Sequence, residues 1–207
     1  MARRTFARTR EGTLVVTLYV QEVELLAMTA RDMMTIVEEP PDGEVADRLY
    51  PRAYLDPTEE AAQGEFDALV HDDLVRARRT ALEVIVDGLD AAVPNRRGVV
   101  EIELTPAEEL QWLTAVNDAR LVIGTALGVT EESDTDYEPG DPRFEYGVLY
   151  GWMTQLHFEL VVLLLDEIGE AGSDDPGSDG PGSDGPGSDG PGSDGPGHEV
   201  GGGELGA

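Results

Sequence analysis

The chain has 207 residues, with 43 acids against 14 bases, a formal net charge of −29 and no cysteine. The missing cysteines exclude disulfides, thiolate nucleophiles, cysteine-ligated zinc and thiol-based redox sensing. So negative a surface repels nucleic-acid phosphates unless a local basic patch wins.

In chain order, the arginine-rich start MARRTFARTR lacks the apolar core and cleavage site of a secretory signal. No run reaches about 18 uninterrupted apolar residues, so no membrane span is expected and a cytoplasmic location is. Thr5 to Tyr19 reads as a β-hairpin turning at Arg10-Glu11-Gly12. From about Gln21, Val23, Leu26, Met33, Met34 and Val37 recur at helical spacing, and Pro40-Pro41-Asp42-Gly43 stops that helix. Arg48 to Tyr54 is read as irregular. A long helix then starts near Pro57 and runs to about Asp90, with Phe66, Leu69, Val70, Leu74, Ala77, Ala81, Leu82, Ile85 and Leu89 as its apolar stripe.

Val99 to Leu104 alternates apolar with acidic residues, the signature of a half-buried strand that extends the hairpin to three strands. Thr105-Pro106-Ala107-Glu108 predicts a capped helix start, and Gly128 suits the cap at its other end. Thr130 to Arg143 is read as a loop. A strongly apolar helix from about Phe144 to Ile168, ended by Gly169, is expected to be the central one. From Asp175 a PGSDG repeat of period five begins, within a stretch from Glu170 that holds nine acids and no base. Such a composition buries too little apolar surface to offset ordering entropy. The expected organisation is one folded domain, 1–169, and a disordered acidic tail, 170–207. The expected fold is α+β and mainly helical, with a small antiparallel sheet (the hairpin plus one strand) packed on about four helices.

No catalytic, metal or cofactor motif stands out. His71, His157 and His198 are not spaced as a metal claw, and no phosphate loop, nucleophile elbow or HExxH occurs. Glu131 to Asp136 is acidic but lacks the glycine and register of a calcium loop. Leu113, Asn117, Arg120 and Gly124 fall on one helical stripe, and the polar pair on it needs partners if buried. An internal network is expected there, reaching the Tyr50 to Tyr54 segment or Asp118. Arginines cluster at Arg3, Arg4, Arg8 and Arg10, and again at Arg76, Arg78 and Arg79. Each cluster is a candidate contact for an acidic partner surface, with pairing to the chain's own acids as the usual alternative. The charge disfavours direct DNA binding.

LYPRAY at 49–54, TPAEELQWLTAVNDARLVIGTALGVTEE at 105–132 and YGVLYGWMTQLHFELV at 146–161 resemble the AosR family, an actinobacterial family of unknown-function domains that includes an oxidative-stress regulator. The most specific piece is Trp112, Leu113, Asn117, Asp118, Arg120, Leu121, Gly124, Leu127 and Gly128; Tyr50, Pro51, Tyr54 and Trp152 also fit. The resemblance implies a cytoplasmic, non-enzymatic transcription regulator without cofactor. It would act through an extracytoplasmic-function sigma factor or RNA polymerase on stress and cysteine-biosynthesis genes. The family's redox sensing is attributed to a cysteine pair, which this chain lacks. An adaptor outside transcription and a small-molecule enzyme using Asn117, Arg120 and Tyr54 are the rival readings, and homo-oligomerisation stays open.

Overall fold

The computed structural model describes residues 4–130, 132–133 and 135–171, apart from the side chains of 167–171. Of the expected tail, 170–207, residues from 172 onward lie outside the described residues, while the last helix runs on through Ala171, so Gly169 does not end it. Strands β1 (Phe6–Arg8), β2 (Leu14–Tyr19) and β3 (Val99–Leu104) form one antiparallel sheet in that order. The helices are α1 (Val20–Glu38), α2 (Glu44–Leu49), α3 (Glu60–Ala91), α4 (Pro106–Ala126) and α5 (Phe144–Ala171), with one 3-10 turn at Pro57–Glu59 before α3. The α+β, mainly helical class is therefore as expected.

The hairpin closes through Thr9 N–H to Thr13 O and Gly12 N–H to Thr9 O. Gly12 sits at φ +88°, which glycine adopts without steric cost. Leu14 pairs with Leu104 and Val16 with Ile102. The period of two sends Leu14, Val16 and Leu18 inward, leaving Glu101 and Glu103 exposed. Phe6 of β1 meets Trp112 of α4 edge to face, ring centroids 6.0 Å apart.

The start of α4 is capped as its sequence requires: Glu108 Oε2 accepts from Thr105 N–H at 2.8 Å, and Glu108 N–H donates to Thr105 Oγ1 at 3.4 Å. Its end is a Schellman turn, with Gly128 N–H bonded to Thr125 O and Val129 N–H to Gly124 O, and Gly128 at φ +67°.

Three further expectations need correction. First, the stretch before Tyr50 is not wholly irregular, because Glu44–Leu49 forms α2 and buries Leu49 completely. Second, the apolar stripe of α3 is fully buried only along its C-terminal half, at Ala81, Leu82, Ile85 and Leu89, while Phe66 and Val70 are half-buried. A 32-residue helix is roughly 48 Å long. Its first half outruns the core and leaves Leu69 78% exposed.

Third, α5 is not the central helix. That place belongs to α4, which packs on α1, α2, α3, α5 and β3. The small residues Ala115, Ala119 and Gly124 let neighbours approach α4 from several sides, and all three are buried. Helix α5 buries Met153, Leu156 and Leu160 but leaves Phe158 and Leu165 in solvent. Over Phe144–Asp166 it is long and apolar enough to cross a membrane by length and composition. Its fully buried face and the bonds of Glu159 to β1, described below, suit a helix docked on this domain.

Candidate functional site

Asn117 and Asp118 are adjacent, so on a helix they point about 100° apart. The single polar network anticipated around α4 is accordingly two separate clusters.

The first lies between α2, α3 and α4. The Asp118 carboxylate forms a short ion pair with the Arg78 guanidinium of α3. Arg78 also donates to the last carbonyl of α2, Leu49 O, at 2.6 Å. Tyr50 lies beneath that guanidinium, 5.5 Å from its ring centroid, and donates its hydroxyl to Val37 O at 2.6 Å. His71 of α3 packs on the Tyr50 ring at 4.9 Å. Burial raises the Asp118 pKa above the usual carboxylate range, and the hydrogen bond and charge of Arg78 only partly oppose it. Burial also raises the Tyr50 phenol. This cluster ties α1, α2, α3 and α4 together.

The second cluster faces α5. Arg120 Nη2 donates to Asn117 Oδ1 at 3.0 Å. His157 of α5 is held below its ordinary pKa, first by burial and then by the Arg120 charge. Gly124 belongs to the same stripe because a Cβ there would stand 2.8 Å from the Tyr150 ring of α5. Tyr54 joins neither cluster. Its N–H donates to Gln63 Oε1 at 2.9 Å, and its side chain is partly exposed.

The helical arginines do not form one basic face. Arg78 turns inward as described, Arg76 pairs with Asp73, and Arg79 with Glu38 and Glu83. In the N-terminal group, Arg8 grips Glu109 of α4 through two bonds of 3.0 and 2.7 Å. Arg3 lies outside the described residues. Arg4 is exposed and lines a groove of about 650 Å³ beside α5.

That groove was not legible in the sequence. Trp152, Gln155, Phe158, Glu159, Val162, Leu163 and Asp166 of α5 line it, facing Thr5, Phe6, Tyr19 and Glu22. Glu159 Oε2 accepts the N–H groups of Thr5 and Phe6 at 2.8 and 3.2 Å, occupying the outer edge of β1. Phe158, Val162 and Leu165 recur at i, i+4 and i+7 and are 61%, 38% and 60% exposed, with Tyr19 at 45% beside them. The signal was present as a helix apolar over more of its circumference than one buried face needs.

The structure thus defines a mainly helical α+β domain with an open groove of mixed apolar and charged lining beside α5. The chain belongs to the family described as a domain of unknown function (DUF2017), whose model matches residues 3–164. It is 30% identical over 136 residues to the putative oxidative stress regulator AosR of Mycobacterium leprae (strain TN), covering 60% of each chain. It is 28% identical over 114 residues to the oxidative stress regulator AosR of Mycobacterium tuberculosis (strain ATCC 25618 / H37Rv), covering 53% of this chain and 50% of that one. The chain thus spans half to three-fifths of the curated relatives it matches. No solved structure matches it.

Proposed function

We propose that this protein is a non-enzymatic regulator of oxidative-stress and cysteine-biosynthesis genes in the cytoplasm, acting by contact with a sigma factor or RNA polymerase. The observation that carries the reading is the α5 face. Phe158, Val162 and Leu165 form an exposed apolar row beside an open groove, on a chain whose surface is otherwise rich in charge. An apolar patch rimmed by polar groups marks a contact surface on a soluble domain. The names of the relatives support the regulatory part of the reading. Without cysteine, control by peroxide cannot use a thiol in this chain and would reach it through a partner or through methionine oxidation.

The test is affinity purification of the tagged full chain from its native cells, with and without peroxide, followed by mass spectrometry. The wild-type chain is expected to recover RNA polymerase and a sigma factor. Phe158→Asp/Leu165→Asp, with an unchanged circular dichroism spectrum, is expected to lose both. If wild type recovers neither, or if the variant recovers both undiminished, the reading fails. A stoichiometric partner outside transcription would make the protein an adaptor instead.

A further inference from the structure

Seven of the fourteen arginines are ion-paired to acids among the described residues, as expected where acids outnumber bases threefold. Of the described arginines outside those seven, Arg48 and Arg120 are the two that come together in one cleft. Neither has an acidic partner among the described residues, and they come from distant parts of the chain to line the same cleft, of about 380 Å³. Arg120 Nε is buried without a hydrogen-bond partner. Tyr150 lines the cleft too, with its ring seated against Gly124 and its hydroxyl without a hydrogen bond to the described residues. Leu121 and Val129 supply apolar wall.

We propose that this cleft binds a small oxyanion, the phosphate or carboxylate group of a metabolite-sized ligand. The Arg48 fork, the Arg120 N–H groups not given to Asn117 and a phenol are a donor set such a group uses, and arginine meets either oxyanion through paired N–H bonds. The volume lies within the range of small-ligand pockets. The charge on Arg120 is felt locally, since after burial it is the second cause that lowers the His157 pKa. An extended polyanion such as DNA would also meet the acids of a chain at −29, whereas a small anion meets mainly the two arginines.

The experiment follows backbone amide shifts of the ¹⁵N-labelled full chain during titration with inorganic phosphate and, separately, malonate, each against sodium chloride of equal ionic strength. Saturable shifts at Thr125, Val129 and Thr130 are expected with at least one of the two anions and not with chloride. Arg48→Gln, at an exposed position that the fold does not need, is expected to weaken the dissociation constant about tenfold, the scale of one charge-assisted contact. Arg48→Gln/Arg120→Gln is expected to abolish saturation, while Arg10→Gln/Arg97→Gln, which removes the same charge from two turns, leaves it intact. Shifts that match chloride, or an affinity unchanged in Arg48→Gln, overturn the proposal. So does a duplex oligonucleotide that binds with the same Arg48 dependence and at lower concentration than either anion, because the cleft would then serve nucleic acid. No protein partner enters this readout, so it stands or falls apart from the α5 face.

Discussion

Arg78 on α3 and Asp118 on α4 are each other's main charge partner, and Arg78 also bonds the last carbonyl of α2. The Asp118 side chain is only 3% exposed, and Asp118 Oδ2 has no bond of its own. A carboxylate removed so fully from water is held in place by one guanidinium. Losing either partner strands the other.

Asp118→Ala is therefore expected to destabilise the domain by about 3–5 kcal/mol, measured by urea denaturation. Arg78→Leu/Asp118→Leu is expected to cost less than Asp118→Ala alone, because it leaves no uncompensated charge. Losses in the double variant that equal the sum of the two single losses would show that the pair is not coupled. The raised folded pKa of Asp118 fixes the pH sense. Its contribution falls as pH rises from the ordinary carboxylate value towards the folded one, so Asp118 does not drive acid unfolding.

His157 acts in the other direction on acidification. Its folded pKa lies below the ordinary histidine value of about 6.5. Between those two values the unfolded chain binds the proton and the folded chain does not. Stability is thus fully present above the ordinary value and declines as pH falls towards the folded one. Arg120→Gln removes the second cause of the depression and is expected to move the His157 midpoint upward in an NMR titration. A midpoint unmoved by that change would mean burial alone sets it.

Gly124 and Gly64 make an opposed pair of glycine tests. Alanine favours a helix interior over glycine by roughly 1 kcal/mol. At Gly64 of α3 an added Cβ meets nothing within 4 Å, so Gly64→Ala is expected to stabilise by about that amount. At Gly124 the Cβ would press on Tyr150, so Gly124→Ala is expected to cost about 1–3 kcal/mol net. In a Tyr150→Ala background the Gly124→Ala cost should disappear. Thermal unfolding of wild type, Gly64→Ala, Gly124→Ala, Tyr150→Ala and Gly124→Ala/Tyr150→Ala checks both statements.

Glu159 holds the edge strand. Glu159→Ala removes the acceptor for Thr5 and Phe6 N–H. Loss of hydrogen bonds to a charged acceptor is worth about 1.5–3 kcal/mol. Hydrogen exchange at those two amides is expected to accelerate at least about tenfold, while Val100 and Ile102 of β3 stay protected. Uniform acceleration across the sheet would instead indicate global loss of stability.

Much of the local structure was determined by sequence alone, because it depends on near neighbours. Alternation in Val99–Leu104, the Thr105–Glu108 cap and the Gly128 stop each encode their element within a few residues. The polar residues Asn117, Asp118 and Arg120 were also readable as a group needing partners. What spacing could not supply was the partner of each. Asn117 and Asp118 are adjacent in the chain and leave α4 towards different helices, so their separation into two clusters depended on how α3 and α5 dock. Arg78 looked like part of a basic surface until α4 placed Asp118 against it. The helix with the most apolar residues was not the central one. Centrality depends on how many neighbours a helix admits, and α4 admits them through Ala115, Ala119 and Gly124. Hydrophobicity in the sequence says which residues seek burial. Only the tertiary structure decides which find it, since the core has a finite surface and α5 presents more apolar face than that surface can cover.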